Sequence, residues 1–326
     1  MAKQPNQKLK ILYILQFLQR KSDEEHPVTM NDIIDELGKY DISAERKSIY
    51  NDIEALRRFG YDIELIHSRT AGGYYLASRE FELAELKILV DSIQASKFIT
   101  TKKTRDLIKK LSSLCSEYEA RQLKHEVHVI DRIKTKNENI FYNVDALNSA
   151  LNQNRVIQFK YYEYNEKGEL VLKNKNYQVS PLGLIFQNEN YYLVAFDFAS
   201  NEKRHYRVDK MMNISICDQR CLEEHKKNFD IVTYSNENFG MYAGDVKTVR
   251  LHVNKKMIGV VIDRFGSDLT IRPVNDSQYE IRVTVAISGQ FFGWLVGIGK
   301  GITIANDPEL QKRFKDYLND IIKHNQ

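Results

Sequence analysis

The chain has 326 residues, room for two or three domains and a sizeable core. Its hydrophobic fraction of 42% excludes a disordered class, and no apolar run approaches the ~20 residues that span a bilayer. A net charge of +4 and a pI near 8.7 permit a nucleic-acid partner without arguing for one. The three cysteines, Cys115, Cys217 and Cys221, are too few and too scattered for a disulfide framework. Cys217 and Cys221 lack a second pair to complete a zinc site. Reduced thiols, and polar residues 1–7 without the apolar core of a signal peptide, predict a cytoplasmic protein.

Residues 8–20 carry Leu9, Leu12, Ile14, Leu15 and Leu18 at helical spacing. Thr29 is the expected N-cap of a second helix, with Asp32 three residues on completing a capping box and Ile33, Ile34 and Leu37 as its buried stripe. A third helix is expected to be capped by Ser43 and ended by Gly60. Ile49, Ile53 and Leu56 lie at i, i+4 and i+7 and face the core, so Arg46, Lys47, Tyr50 and Asn51 point outward. Ile63-Glu64-Leu65-Ile66 and Gly73-Tyr74-Tyr75-Leu76 read as two strands around a loop that contains Arg69. Three short helices and a hairpin are the pattern of a winged helix-turn-helix.

Residues 1–78 hold 11 Lys and Arg against 12 Asp and Glu, so bulk charge does not point to DNA. Duplex binding must rest on local clustering. The candidates are Ser43, Arg46, Lys47, Tyr50, Asn51 and, on the wing, Arg69. The plain alternative is a helical module with no DNA contact.

Residues 79–138 form an expected helical linker. Leu86, Leu89, Val90 and Ile93 make one stripe; Leu107, Ile108, Leu111, Leu114, Cys115 and Tyr118 make another. Such faces either pack on neighbouring elements or pair across a dimer. His125-Glu126-Val127-His128 spaces its histidines three apart, not four as in the zinc-protease motif.

A helix near residues 144–151 leads into a set of strands: 156–162, then 179–184, then a hairpin. The hairpin joins Asn190-Tyr191-Tyr192-Leu193-Val194-Ala195-Phe196-Asp197 to Lys203-Arg204-His205-Tyr206-Arg207-Val208-Asp209-Lys210-Met211. Alternation puts Tyr191, Leu193 and Ala195 on one face and Tyr192, Val194 and Phe196 on the other. In the second run Tyr206 and Val208 are apolar, with His205, Arg207 and Asp209 opposite. Tyrosines beside cations suit a phosphate or a nucleobase. The alternative is a half-buried hairpin with a solvated basic edge.

Tyr191-Tyr192-Leu193 followed by Arg204-His205-Tyr206-Arg207-Val208-Asp209-Lys210 resembles the signature of the WYL domain, with Tyr191 where that family usually has Trp. Val179-Ser180-Pro181-Leu182-Gly183-Leu184 resembles the run that precedes the triplet. The resemblance implies an Sm-like β-barrel over residues 139–235 that senses a ligand, single-stranded DNA in some members. Tyr191, Tyr192, Arg204, His205, Tyr206 and Arg207 fall on the motif positions. Ser43 through Gly60, with Gly72-Gly73-Tyr74-Tyr75-Leu76, similarly resembles the winged helix that commonly precedes WYL domains.

The last segment, residues 236–326, alternates at Val249, Leu251 and Val253, turns helical at 257–265, and returns to strand at Leu269-Thr270-Ile271 and at Tyr279, Ile281, Val283 and Val285. A helix at 291–295, a strand at 302–304 and a final helix from Pro308 complete a β-α-β-β-α-β order, which is ferredoxin-like. Phe239-Gly240-Met241-Tyr242 and Phe291-Phe292-Gly293-Trp294-Leu295 resemble the extension that follows many WYL domains.

Gly297-Ile298-Gly299-Lys300-Gly301 lacks the Ser or Thr and the strand-to-helix setting of a phosphate loop, and no nucleophile elbow or zinc signature is present. The expectation is an α+β multidomain, homodimeric, non-enzymatic transcription regulator that needs no cofactor or metal. It binds double-stranded operator DNA and answers to single-stranded DNA or a nucleotide. The alternative is a regulator or binding module that senses a small metabolite or a protein partner through the same patch.

Overall fold

The computed structural model describes residues 6–68, 72–123, 134–135, 137–227, 229–237 and 244–326. The chain divides into two compact units, Met1–Glu138 and Asn139–Gln326. Arg69, the His125 to His128 run and the Phe239 to Tyr242 motif lie outside the described residues.

In the first unit, α1 (Lys10–Lys21), α2 (Met30–Gly38) and α3 (Arg46–Phe59) pack around Ile14, Leu18, Ile33, Leu37, Ile49, Ile53 and Leu56. The capping box of α2 forms as expected: Thr29 Oγ1 accepts from the Asp32 N–H at 3.2 Å, and Asp32 Oδ2 accepts from the Thr29 N–H at 2.7 Å. Ser43 does not cap α3. The helix begins two residues later, with Glu45 at the N-cap and no side-chain cap. Asp41 adopts a positive φ of 58°, the chain stays non-helical through residue 45, and the Ser43 carbonyl accepts from Gln7 instead. Gly60, at φ 116°, ends α3.

β1 (Ile63–Ile66) and β2 (Gly73–Leu76) pair antiparallel, and Val28 bridges Tyr74 on the other side of β2. That close approach requires Gly73. A Cβ there would lie 2.4 Å from the Val28 carbonyl oxygen.

The linker residues form three helices rather than two amphipathic stripes: α4 (Leu83–Ala95), α5 (Thr101–Leu111) and α6 (Glu117–Gln122). Ser116 caps α6 and splits the second stripe. Leu86 packs with Cys115 and Leu123, whereas Ile88, Leu89 and Leu114 are exposed. A polar joint ties α6 to the turn after α1. The buried Asp23 accepts from Ser116 Oγ at 2.5 Å and lies 2.7 Å from His26 Nδ1, whose ring stacks on Tyr118 at 3.7 Å. Arg20 and Lys21 both pair with Glu117.

The second unit begins with α7 (Ile140–Asn152) and a five-stranded antiparallel sheet: β3 (Arg155–Tyr164), β4 (Leu170–Gln187), β5 (Asn190–Asp197), β6 (Glu202–Arg207) and β7 (Met211–Arg220). The strand order is β6-β5-β4-β3-β7. The sheet is open, not the closed barrel expected. β6 ends at Arg207, and a turn of 3-10 helix, Val208–Lys210, redirects the chain to the far side of β3. The Val208 and Met211 carbonyls accept from the buried Asn143 side chain on α7 rather than from a closing strand. α8 (Glu223–Lys226) and α9 (Ile231–Glu237) follow, and the boundary expected at residue 235 falls inside α9.

β8 (Asp245–Asn254), α10 (Ile258–Phe265), β9 (Ile271–Pro273), β10 (Gln278–Ile287), α11 (Gly289–Ile298), β11 (Ile302–Ala305) and α12 (Pro308–His324) complete the chain. Their sheet runs β11-β8-β10-β9, all antiparallel. One face buries Val249, Leu251, Val253, Ile281, Val283 and Val285 against helix residues such as Val261, Phe291 and Leu295. β9 starts later than expected because Leu269 packs on this core instead of joining the ladder.

Candidate nucleic-acid and ligand sites

On α3 the inward stripe of Ile49, Ile53 and Leu56 fixes what faces out. Arg46, Lys47, Tyr50 and Asn51 are all exposed, as is Ser43 in the preceding loop. Arg46 Nη2 donates to Asn31 Oδ1 on α2 at 2.8 Å, which holds the guanidinium over the start of the helix. Tyr50 is 48% exposed, with its ring 6.4 Å from that of Tyr74 on β2. Asp52 is drawn inward, paired with the buried Lys10 at 2.7 Å, and Ser48 also accepts from Lys10. Its carboxylate is therefore neutralised beneath the helix rather than displayed beside Arg46. Glu45, one residue before Arg46, is exposed.

The hairpin of β5 and β6 divides the six motif residues between two faces. Its register pairs Tyr192 with Arg207 and Val194 with His205 on one face, and Leu193 with Tyr206 and Ala195 with Arg204 on the other. Tyr206 is 4% exposed and sits in a cluster of rings, with Phe159, Tyr177 and Tyr161 at centroid distances of 5.0, 5.6 and 5.8 Å. Its hydroxyl donates to Asp197 Oδ2 at 2.9 Å. Asp197 is 1% exposed; it also accepts from the Ala199 N–H and lies 3.8 Å from Arg204 Nε. Burial, and then the Asp197 carboxylate, push the Tyr206 phenol well above its usual value. Tyr161 accepts from the Arg207 N–H at 3.1 Å, and burial pushes its phenol up to about 12. Tyr191, further along β5 on this side, tilts against the exposed Phe186 at 4.9 Å.

On the opposite face Arg207 makes a bidentate pair with Asp209, Nε to Oδ1 at 3.1 Å and Nη2 to Oδ2 at 2.8 Å. Nη2 also donates to Asn190 Oδ1 at 3.0 Å. His205 Nε2 lies 2.7 Å from the Tyr234 hydroxyl. Tyr192, Leu182, Phe229, Ile231 and Tyr234 pack against the buried Ile185 and Val194. α9 lies directly on this face: a Cβ on Gly183 would strike Ile231 Cδ1.

The structure thus brings Tyr192, His205 and Arg207 together and places Arg204 and Tyr206 on the other side of the sheet. Asn190, Asp209 and Tyr234 complete the patch. Asp209 was visible within the motif, whereas Tyr234 lies 29 residues beyond His205 on another element, with no local signal. A half-buried guanidinium anchored on two sides, with a tyrosine wall and an imidazole beside it, can take a phosphate or a carboxylate. Among the described residues no group of three or more His, Cys, Asp or Glu is placed to hold a metal ion. Cys115, Cys217 and Cys221 are free thiols. No described helix is long and apolar enough to cross a membrane.

Residues 142–216 match the model of the WYL domain. Two similar solved structures are proteasome accessory factor B/C (PafBC) of Arthrobacter aurescens and a CRISPR Cas-related protein. PafBC is 17% identical with a TM-score of 0.28, over 94% of this chain and 45% of that one. The CRISPR Cas-related protein is 12% identical with a TM-score of 0.37, over 97% and 85%. The chain therefore spans less than half the length of PafBC. A search of curated proteins gave no match.

Proposed function

We propose that this chain, which carries a WYL domain at residues 142–216, is a DNA-binding transcription regulator. Residues 1–78 read duplex operator DNA as a winged helix-turn-helix, with Arg46, Lys47, Tyr50 and Asn51 at the contact. Residues 79–138 pair two copies, and residues 139–235 sense single-stranded DNA or a nucleotide through Tyr192, His205 and Arg207. Residues 236–326 form a ferredoxin-like extension. Ligand binding and operator binding are linked by a coupling free energy.

One observation supports the reading most directly. The outward face of α3 presents Arg46, braced by Asn31, beside Lys47, Tyr50 and Asn51, while Asp52 is turned inward onto Lys10. Arginine and asparagine on an exposed helix have the donor and acceptor sets that read guanine and adenine edges. The test is a gel shift on duplexes selected by the native protein from a random library. Arg46→Ala and Asn51→Ala each weaken binding by about 1–3 kcal/mol with folding intact. Unchanged affinity in both overturns the assignment.

Pairing through the linker is supported by Ile88, 66% exposed on α4, with Leu89 beside it. Light scattering at micromolar concentration gives twice the chain mass if it holds.

A second reading, a small metabolite or a protein at the Arg207 face, is supported by the half-buried Tyr192 that the register sets beside Arg207. A salt titration separates the two, because nucleic-acid binding weakens steeply with salt and an apolar ligand's does not.

A further inference from the structure

The C-terminal sheet buries one face under helices; on the other, Thr248, Arg250, Arg272, Arg282, Thr284 and Thr303 are exposed, whereas Ala286 and Ala305 are buried. On this second face the register sets Arg282 of β10 directly opposite Arg250 of β8. Side chains so opposed have Cβ atoms about 5 Å apart, and like charges there are destabilising. Both arginines are exposed, and neither has an ion-pair or hydrogen-bond partner among the described residues. The Thr248 and Thr284 hydroxyls, one step along the same face, lie 3.1 Å apart. One step the other way, His252 opposes Glu280 and lies 3.7 Å from it; Arg272 opposes Glu280 from β9, and Thr303 opposes His252 from β11. Among its residues the face therefore holds three arginines, one glutamate already facing a histidine, and three threonines, with Ala305 beside Arg250 and Ala286 opposite Val246 beyond the threonines.

We infer that this sheet face binds the phosphodiester backbone of single-stranded nucleic acid, at a site separate from α3 and from the Arg207 patch. Three features choose that occupant. The two opposed guanidiniums repel until an anion lies between them, so the face is complementary to negative charge. The flanking hydroxyls donate to phosphate oxygens as threonines do at nucleic-acid interfaces. The exposed positions around the two arginines are polar or charged, and the apolar ones on this face, Ala305, Ala286 and Val246, lie at its margins. None is aromatic, so no base stacks and binding is blind to sequence. A face three to four strands wide, about 10–15 Å across at the usual strand spacing, lets a flexible strand lie along it. A rigid duplex would meet it only along a line.

The test uses the full chain and a fluorescently labelled oligo-dT of 20 nucleotides, read by anisotropy from 0.05 to 1 M salt. Arg250→Thr with Arg282→Thr is compared with the native chain, with Arg250→Lys/Arg282→Lys, with Arg46→Ala and with Arg207→Ala. Loss of two phosphate contacts flattens the salt slope by about 1.4 and weakens binding about 25-fold at 0.1 M. The double lysine variant retains binding, and Arg46→Ala retains the same slope, so failure of the duplex reading leaves this result intact. Any loss in Arg207→Ala adds to that of the double threonine variant. In the absence of nucleic acid the double threonine variant melts at the same temperature or higher, because a repulsion is removed. Unchanged affinity and slope in that variant overturn the inference. So does a fall in its melting temperature, which would make the arginines structural. Displacement of the oligonucleotide by polyglutamate of equal charge, at equal concentration, overturns the nucleic-acid assignment.

Discussion

Arg207 and Asp209, two residues apart at the end of β6, are joined by two parallel hydrogen bonds of 3.1 and 2.8 Å. The arginine side chain is 38% exposed and the aspartate 13%. The same guanidinium thus belongs to the fold as well as to the patch. Arg207→Ala removes the guanidinium from a largely covered carboxylate and is expected to cost about 1–2 kcal/mol, after allowance for solvent screening. Arg207→Ala with Asp209→Asn recovers part of that loss. A urea double-mutant cycle measures it, and a coupling indistinguishable from zero counts against the pair. Ligand response is then best tested in the double variant, where stability and binding are separable.

Tyr206 and Tyr161 predict an alkaline transition. Both phenols have folded-state values raised by burial, Tyr161 to about 12. A raised acid favours the folded state while protonated. The contribution is complete below the unfolded value near 10 and is lost as pH rises through the folded value. Denaturant melts between pH 8 and 11 are expected to show stability falling above pH 10. Tyr206→Phe lacks part of that slope and costs about 1–3 kcal/mol at neutral pH, because Asp197 Oδ2 loses its donor.

The joint between α1 and α6 predicts the opposite, acidic dependence. Burial pushes Asp23 up, but hydrogen bonds from Ser116 and His26, and the His26 charge, outweigh it and hold the carboxyl below 3.8. A depressed acid stabilises the fold above its unfolded value, and the contribution disappears as pH falls through the folded one. Ser116→Ala removes the donor to Asp23 together with the α6 N-cap and is expected to cost about 1–2 kcal/mol at pH 7. Protection of the α6 amides, each rate divided by its intrinsic rate at the same pH, should fall in the native chain from pH 5 to pH 3 and start out lower in the variant. Equal protection at pH 5 would refute the joint.

Gly73 and Gly38 form a matched pair of tests. A methyl group on Gly73 meets the Val28 carbonyl at 2.4 Å, backbone against backbone, so Gly73→Ala is expected to cost about 3 kcal/mol and to loosen the wing. A methyl on Gly38, at the end of α2, meets nothing within 4 Å. Gly38→Ala should be neutral or stabilise by up to ~1 kcal/mol. Thermal melts of the two variants decide it.

The helices and strands were largely legible because their signals are local. Thr29 and Asp32 announced a capping box, Ile49, Ile53 and Leu56 a buried stripe, and Tyr279 through Val285 a two-residue alternation, each visible within a few positions. The third helix was misjudged at its start because Ser43 is a good cap in isolation. The positive φ at Asp41 and the Gln7 contact, 36 residues away, carry the chain past it. The hairpin patch was legible in composition but not in geometry. A motif is written as consecutive residues, whereas a strand sends consecutive residues to opposite sides. Arg204 and Tyr206 therefore part from His205 and Arg207. Openness of the sheet was not legible at all, since it turns on one short turn after Arg207 and on where Asn143 donates.

Strand β4 runs 18 residues, and its two halves serve different neighbours. Residues up to Val179 pair with β3, and those from Val179 onward pair with β5, so in the register Val179 alone has a partner on each side. Just beyond it the ladder is irregular between Pro181 and Gly183, where proline donates no hydrogen bond. The strand is an axle with one arm, β3 and β7, at its first half and the other, β5 and β6, at its second. The arms are also tied directly, by Tyr161 of β3 accepting from the Arg207 N–H and by the rings of Phe159 and Tyr161 against Tyr206, so the bend of β4 beyond Val179 is pinned and Arg207 and Asn190 are held in place by both halves of the strand.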